Sequence, residues 1–259
     1  MKKGFPVNMY EYSYPVIGGT NDEYGKFDVK DIVGTAFHIG ENCFITAGHV
    51  ISQLRSYDLK ALGKQGLQNE KGVATLELVI FDNFEENKDF EIFKEKDIGI
   101  FRIEVNPTSS FLWCQNQYFP PELFKTFGYA FALNLTDNEI YIRSILGNIV
   151  SSRNFKRFDI KSKVYELSEI CPKGISGAFL LNENLNVIGL IIGNGSSEIE
   201  IAYEEETKLD KNGEIIFLKT EVMKYGIAIV NDEIFKLESS IIGGSILNHL
   251  KKNELLKEK

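Results

Sequence analysis

Cysteine and histidine are scarce in this sequence, whose 259 residues contain three of each. Cys43, Cys114 and Cys171 are far apart and form no Cys-x-x-Cys pair. This distribution is typical of free thiols in a reducing compartment and argues against a disulfide scaffold or a zinc site. The histidines show no paired spacing, so we expect no metal and no cofactor. His38 and His249 lie in no recognisable motif and are predicted to be structural.

Long apolar runs are also missing. No stretch reaches the roughly 18 consecutive apolar residues that a membrane-spanning helix needs, and the basic start, residues 1–11, lacks the apolar centre of a secretory signal. We therefore expect a cytoplasmic protein that does not bind a membrane. The net charge is -8, and no basic stripe is present that could neutralise phosphates, so a nucleic acid is not expected as a partner.

What the sequence does contain is many short β-type runs. Its 43% hydrophobic and 12% aromatic residues are enough for a sizeable core, and turns rich in Gly, Asn, Asp or Lys separate the runs. We predict an all-β fold of two packed antiparallel six-stranded-type β-barrels with a cleft between them and a short C-terminal helix. The predicted strands are residues 33–39, 43–47, 74–81, 98–103, 123–130, 140–149, 164–167, 177–181, 187–192, 215–218 and 225–230.

We expect residues 1–259 to form one domain. Residues 105–121 hold three of the six prolines and show no clear period, so they are the best candidate for the crossing between the barrels. Residues 82–96 are polar enough for a surface loop, and residues 49–54 suit a short helical turn. The predicted parts are the first barrel at about 1–110, the crossing at 105–121, the second barrel at 122–235 and a terminal helical tail at 231–259.

Three short segments carry the functional signal. Thr-Ala-Gly-His ends an apolar run at His49, Asp97 begins another in Asp-Ile-Gly, and Ser176 lies between glycines in Gly-Ile-Ser-Gly. Singly, each has an ordinary structural interpretation: an edge histidine, a strand-start cap and a plain turn. Jointly, they follow the chain order His, Asp, Ser of a known serine-protease arrangement.

These segments resemble the catalytic motifs of the chymotrypsin-like (trypsin-like) serine peptidases, whose pattern is Thr-Ala-x-His, Asp-Ile/Leu-Ala and Gly-x-Ser-Gly. The last strands, residues 187–193 and 225–229, are most similar to the bacterial high-temperature-requirement branch. The resemblance spans roughly residues 30 to 235. It implies a trypsin-like serine endopeptidase that hydrolyses peptide bonds in protein or peptide substrates through an acyl-enzyme and needs no cofactor.

The resemblance also implies a role for each residue. His49 would be the general base, Asp97 would orient its imidazole, and Ser176 would be the nucleophile. The backbone N–H groups of Gly174 and Ser176 would form the oxyanion hole.

Two segments depart from the family pattern. Residues 16–19, Val-Ile-Gly-Gly, resemble an activation site, but the partner carboxylate is missing because Ile175 stands before the nucleophile. We therefore interpret residues 16–19 as an ordinary turn. We also expect residues 173–175 to be disordered until a substrate or an activating protein partner binds.

The resemblance places a substrate pocket around the side chain that precedes the scissile bond. Its floor would lie near Ile170, and an apolar floor predicts a preference for apolar or small residues. The predicted pocket residues are Ile170, Ile191, Ile192, Gly193, Tyr225 and Ile227. An acidic run could instead attract Lys or Arg if it overhangs the cleft; its members are Glu198, Glu200, Glu204, Glu205 and Glu206.

Two other functions stay open from the sequence. The chain could be a catalytically silent peptidase-fold module that binds a peptide by β-strand addition. It could also be a protease subunit that is active only within an intracellular stress or defence assembly.

Overall fold

A computed structural model gives the fold of the chain. The all-β prediction is confirmed, since strands dominate and the helices are short. The helices in the described part of the chain are all too short to cross a bilayer. The structure describes residues 8–68, 74–106, 109–115, 120–129, 133–134, 139–140, 142–157, 159–202 and 218–257.

The first half of the chain forms one antiparallel sheet. Its elements are β1 (Tyr14–Asn21), β2 (Phe27–Gly40), β3 (Cys43–Ala47), α1 (Gly48–Leu54), β4 (Leu59–Gln68), β5 (Ala74–Phe81), β6 (Phe90–Phe93) and β7 (Ile98–Arg102). The hydrogen-bonded order is β5-β4-β1-β2-β3-β7-β6. β3 lies inside this order with every residue buried, as its unbroken apolar run predicts. The sheet therefore has seven strands, not the six predicted, and within the described residues its order does not close.

Three strands of this sheet were not predicted. Residues 16–19 belong to β1 and do not form a turn. Gly18 is needed there because a Cβ would lie 2.3 Å from the ring of Tyr57, a long-range contact that the local sequence does not reveal. β4 was also missed, and β6 forms within the predicted surface loop because Phe90 is fully buried.

The second half contains a closed six-stranded barrel. Its elements are β8 (Glu122–Gly128), β9 (Leu133–Asn134), β10 (Glu139–Ile140), β11 (Arg143–Arg157), β12 (Ile160–Leu167), β13 (Phe179–Leu181), β14 (Val187–Ala202) and β15 (Leu218–Val230). The barrel order is β11-β12-β15-β14-β13-β8, and β9 and β10 form a separate pair. β14 and β15 remain paired as far as Ala202 and Leu218. Most of the predicted strand at residues 215–218 lies outside the described residues.

Aromatic rings pack the two halves together. The Phe37 ring of β2 stacks on Phe179 of β13 with centroids 4.2 Å apart and meets Phe127 of β8 edge-on at 5.7 Å. Phe111, from the segment between the halves, contacts both Phe37 and Phe127. Such pairs contribute about 0.5–1.5 kcal/mol each beyond the area that they bury. This shared core fixes β2 against the strands that carry the second half of the site.

The C-terminal region consists of α2 (Asn231–Phe235), β16 (Glu238–Ser239), β17 (Gly244–Ser245) and α3 (Ile246–Lys252). The side chain of Asn231, the first residue of α2, donates to the carbonyls of Cys114 and Val187. His249 of α3 is buried, and His38 of β2 is partly buried. Burial lowers the pKa of His38 to about 4 and also lowers the pKa of His249, so both act as neutral packing residues near neutral pH.

Candidate active site

His49 and Asp97 lie at the ends of two neighbouring strands. His49 is the second residue of α1, directly after β3, and Asp97 directly precedes β7. β3 and β7 are paired with Ala47 opposite Ile98. The pairing therefore brings both side chains to the same edge of the sheet.

Asp97 holds His49 through both carboxylate oxygens. Nδ1 of His49 lies 2.7 Å from Oδ2 of Asp97, and the backbone N–H of His49 donates to Oδ1 over 2.7 Å. Asp97 adopts a left-handed conformation with φ 49°, which Asp tolerates better than most residues. The carboxylate side chain is 14% exposed and the imidazole 45%. The ring is thus fixed on its Nδ1 side, and nearly half of its surface remains exposed to solvent.

Ser176 lies in the turn that precedes β13, and we refer to residues 172–178 as the nucleophile turn. The N–H of Gly177 donates to the Ile191 carbonyl of β14 over 2.8 Å. The Ser176 carbonyl accepts from the N–H of Thr35 in β2 over 2.9 Å. The nucleophile turn is therefore tied to both halves of the molecule.

Gly34 shows how closely the nucleophile turn approaches the helix that carries His49. A Cβ at Gly34 would lie 2.5 Å from the Val50 side chain and 2.9 Å from the Ser176 carbonyl oxygen. The residue after His49 and the carbonyl of Ser176 thus meet at the same point of β2. The hydrogen bonds of the described residues do not include one from Ser176 Oγ to His49; such bonds often tighten only when substrate binds.

Gly174 and Ser176 present two backbone N–H groups in the nucleophile turn. Gly174 has φ 92°, a conformation that glycine adopts without steric cost. Between them, the N–H of Ile175 donates to the Pro172 carbonyl over 3.2 Å. Within the described part of the chain, the N–H groups of Gly174 and Ser176 donate to no backbone carbonyl. Paired donors of this kind suit a developing negative charge on oxygen.

Residues 173–175 are held in place, contrary to the expectation of disorder. Lys173 forms an ion pair of 2.8 Å with Asp31 of β2. The Gly174 carbonyl accepts from the Thr35 hydroxyl over 2.9 Å, and the Ile175 side chain is fully buried. Contacts from the first half of the chain thus hold this segment, although Ile175 supplies no carboxylate.

An apolar cavity of about 190 Å³ opens beside β14. It begins at Ile192, one residue beyond the Ile191 carbonyl that anchors the nucleophile turn. A Cβ at Gly193 would meet nothing within 4 Å, so the missing side chain leaves this space open. The cavity is lined by Phe155, Arg157, Ile160, Ile192, Gly193, Asn194 and Ile227.

Only part of the predicted pocket lines this cavity. Ile192, Gly193 and Ile227 do, and the other three predicted residues do not. Ile170 is 53% exposed and forms no floor. Ile191 is fully buried in the barrel core, and the Tyr225 hydroxyl accepts from Arg153 over 3.1 Å.

Asn194 of β14 binds the backbone of Cys171, the residue that follows Ile170. Its side chain accepts from the Cys171 N–H and donates to the Cys171 carbonyl, both over 2.7 Å. This fixes the chain next to Ile170 against β14. Burial raises the pKa of the Cys171 thiol to about 12, so this sulfur stays protonated and is a poor nucleophile near neutral pH.

Three residues of the β11–β12 hairpin line the cavity although no sequence signal identified them. They are Phe155, Arg157 and Ile160. The acidic run falls outside the description, because residues 204–206 and the side chains of residues 198 and 200 are not described. Nowhere in the described residues do three or more His, Cys, Asp or Glu side chains gather as a metal site would require.

Solved structures share this architecture. The active form of the protease Rv3671c from M. tuberculosis superposes with a TM-score of 0.53 at 13% identity, over 87% of this chain and 78% of that chain. This chain has a chymotrypsin-like fold. No protein-family model and no curated protein matches its sequence.

Two other proteases with a chymotrypsin-like fold give the same result. The MamO protease domain from Magnetospirillum magneticum has a TM-score of 0.52 at 12% identity, over 86% of this chain and 94% of that chain. The HtrA-type protease AlgW, solved with a tripeptide, has a TM-score of 0.51 at 13% identity and is matched over 86% of this chain and 57% of its own. This chain thus spans just over half of AlgW. At these identities the likeness establishes the fold alone.

Proposed function

We propose that this protein is a serine endopeptidase with His49, Asp97 and Ser176 as its catalytic triad. The observation that carries the proposal is the double contact of 2.7 Å between Asp97 and His49. An imidazole held in this way keeps one tautomer and one orientation, and an imidazolium formed beside the carboxylate is stabilised. The fold and the anchored turn around Ser176 support the same assignment.

Each residue has a defined step. Ser176 Oγ attacks the peptide carbonyl, and His49 Nε2 takes its proton. The N–H groups of Gly174 and Ser176 bind the oxyanion, where one such donor contributes about 3 kcal/mol in related enzymes. The same proton then passes from His49 to the leaving amine, which leaves an acyl-enzyme, and a water activated by His49 releases the acid.

The substrate is a peptide segment that places an apolar side chain in the cavity beside Gly193. Phe155, Ile160, Ile192 and Ile227 supply an apolar lining, with Arg157 as the charged residue. AlgW has been solved with a tripeptide. Because this chain has the same fold, we expect it to bind a peptide too. The apolar lining of the cavity should favour apolar over basic side chains.

Profiling cleavage of a peptide library tests this preference. We expect enrichment of an apolar residue at one position before the scissile bond. Ile160→Trp should narrow the cavity and lower kcat/KM about tenfold for peptides with a bulky residue at that position, since an excluded methylene or two is worth about 1–3 kcal/mol. Peptides with Gly there should be unaffected. The control is Leu146→Trp, since Leu146 is 63% exposed. Exclusive cleavage after Lys or Arg would contradict the preference for apolar residues.

Labelling with a fluorophosphonate probe tests the nucleophile itself. The purified wild type should be labelled, and Ser176→Ala and His49→Ala should each lose labelling while keeping a native circular dichroism spectrum. Ser144→Ala, which changes an exposed serine of β11, is the control and should label normally. An unlabelled, folded wild type would contradict the proposal and favour a peptide-binding module. Labelling of the isolated chain would exclude the need for a larger assembly.

A further inference from the structure

Thr35 is a buried junction between the two halves of the candidate site. Its hydroxyl donates to the Gly174 carbonyl over 2.9 Å and accepts from the Tyr129 N–H over 3.0 Å. Its backbone N–H donates to the Ser176 carbonyl over 2.9 Å. A single residue of β2 therefore contacts the nucleophile turn on both sides of Ile175.

Thr35 is also linked to the strand that precedes His49. Its carbonyl accepts from the Thr46 hydroxyl of β3 over 2.7 Å, and Thr46 lies three residues before His49 in the sequence. The side chain is fully buried. A hydroxyl has one proton to donate and two lone pairs to accept with, and both roles of the Thr35 hydroxyl are used.

The nucleophile turn depends on such outside contacts. Ile175, directly before the nucleophile, has an apolar side chain that cannot hydrogen-bond. Fixing the carbonyls of Gly174 and Ser176 restricts rotation about the backbone bonds beside them, and these bonds aim the two N–H groups proposed for the oxyanion. A shift of about 1 Å in a catalytic group is enough to lower a rate by about 10²-fold.

We propose that the Thr35 hydroxyl is a positioning group that sets the oxyanion hole by holding the Gly174 carbonyl. This inference rests on the proposed endopeptidase function. Thr35 does not touch the substrate; it acts through the orientation of Gly174. The Lys173–Asp31 ion pair assists at the exposed side of the same turn, where a surface pair contributes little.

Three variants test this role. Thr35→Val keeps the shape and the backbone N–H but removes the hydroxyl, Thr35→Ser keeps the hydroxyl, and Thr126→Val is a matched control. Thr126 is also fully buried, but its hydroxyl has no hydrogen-bond partner among the described residues. Activity towards a peptide substrate and the affinity for a peptide aldehyde are measured, because the hemiacetal oxygen of the aldehyde occupies the oxyanion position.

We expect Thr35→Val to lower kcat by about 10- to 100-fold, approaching the loss seen when one oxyanion donor is removed, with KM within about twofold. Binding of the aldehyde should weaken by the same factor, whereas binding of the product peptide should not change. Thr35→Ser and Thr126→Val should stay near the wild type.

Equal kcat values for Thr35→Val and Thr126→Val would overturn the inference. So would a loss of kcat of about tenfold or more in Thr35→Ser, a result that remains measurable if the valine variant fails to fold. A wild type that neither reacts with the fluorophosphonate nor cleaves peptides would instead contradict the proposed function. The two failures are therefore distinguishable.

Discussion

Replacing Asp97 by Asn is expected to lower kcat/KM by about 10⁴-fold, the loss that follows when the histidine of a triad is held in the wrong tautomer. Asp97 accepts from both Nδ1 and the backbone N–H of His49. The side-chain amide of the Asp97→Asn variant can accept from only one of these donors and presents its NH₂ group to the other. If the NH₂ group faces Nδ1, the ring proton must lie on Nε2. Nε2 is then unable to accept the Ser176 proton.

We expect Asp97→Asn to change only the hydrogen bonding of the side chain, because residue 97 can keep its backbone conformation. Asn, like Asp, tolerates the left-handed region that residue 97 occupies, and the carbonyl of Asp97 can still accept from Gly48 as it does now over 2.8 Å. We expect a loss in kcat with little change in KM and an unchanged thermal unfolding midpoint. Asp22→Asn, in a surface turn where the carboxylate accepts from backbone N–H groups, is the control. A loss below about tenfold would mean that His49 does not depend on this carboxylate.

The sequence predicted the parts of the site that local chain patterns encode. The apolar run of β3 predicts a buried strand, so the residues just beyond its end lie at the edge of the sheet. His49 is one of these residues. β7 begins with a similar run, which places Asp97 at the same edge once the strands pair. The glycines around Ser176 mark its turn. These features depend on neighbours in the sequence, and the structure brings His49 and Asp97 into contact.

Residues whose role depends on long-range register were not predictable in the same way. Phe155 of β11 and Ile160 of β12 reach the cavity because β11 pairs with β12 and β12 pairs with β15. Nothing near these residues in the sequence encodes the pairing of β12 with β15. The resemblance placed Ile170 at the floor of the pocket, but its side chain is 53% exposed. β1 was missed because its glycines suggest a turn, although the ring of Tyr57 leaves no room for a Cβ at Gly18.

Replacing Gly177 by Ala is expected to lower the free energy of unfolding by about 2–5 kcal/mol, through strain at positive φ and overpacking, and to lower kcat at least 100-fold. Gly177 has φ 86°, and a Cβ would lie 2.1 Å from the Thr35 carbonyl oxygen and 2.2 Å from the Thr46 hydroxyl. These atoms belong to β2 and β3, which are held in the centre of the first sheet. The nucleophile turn, not the sheet, must therefore move.

Gly25 provides the matched control for this substitution. It also has a positive φ, 74°, but a Cβ there would meet nothing within 4 Å, so Gly25→Ala introduces only the backbone strain of about 1–2 kcal/mol. Urea unfolding of both variants separates that strain from the steric contact between the two halves of the chain. Equal destabilisation would mean that the turn can retreat from β2 without cost. A larger loss in Gly177→Ala, together with lost turnover, would mean that contact with the first sheet holds Ser176 in its working position.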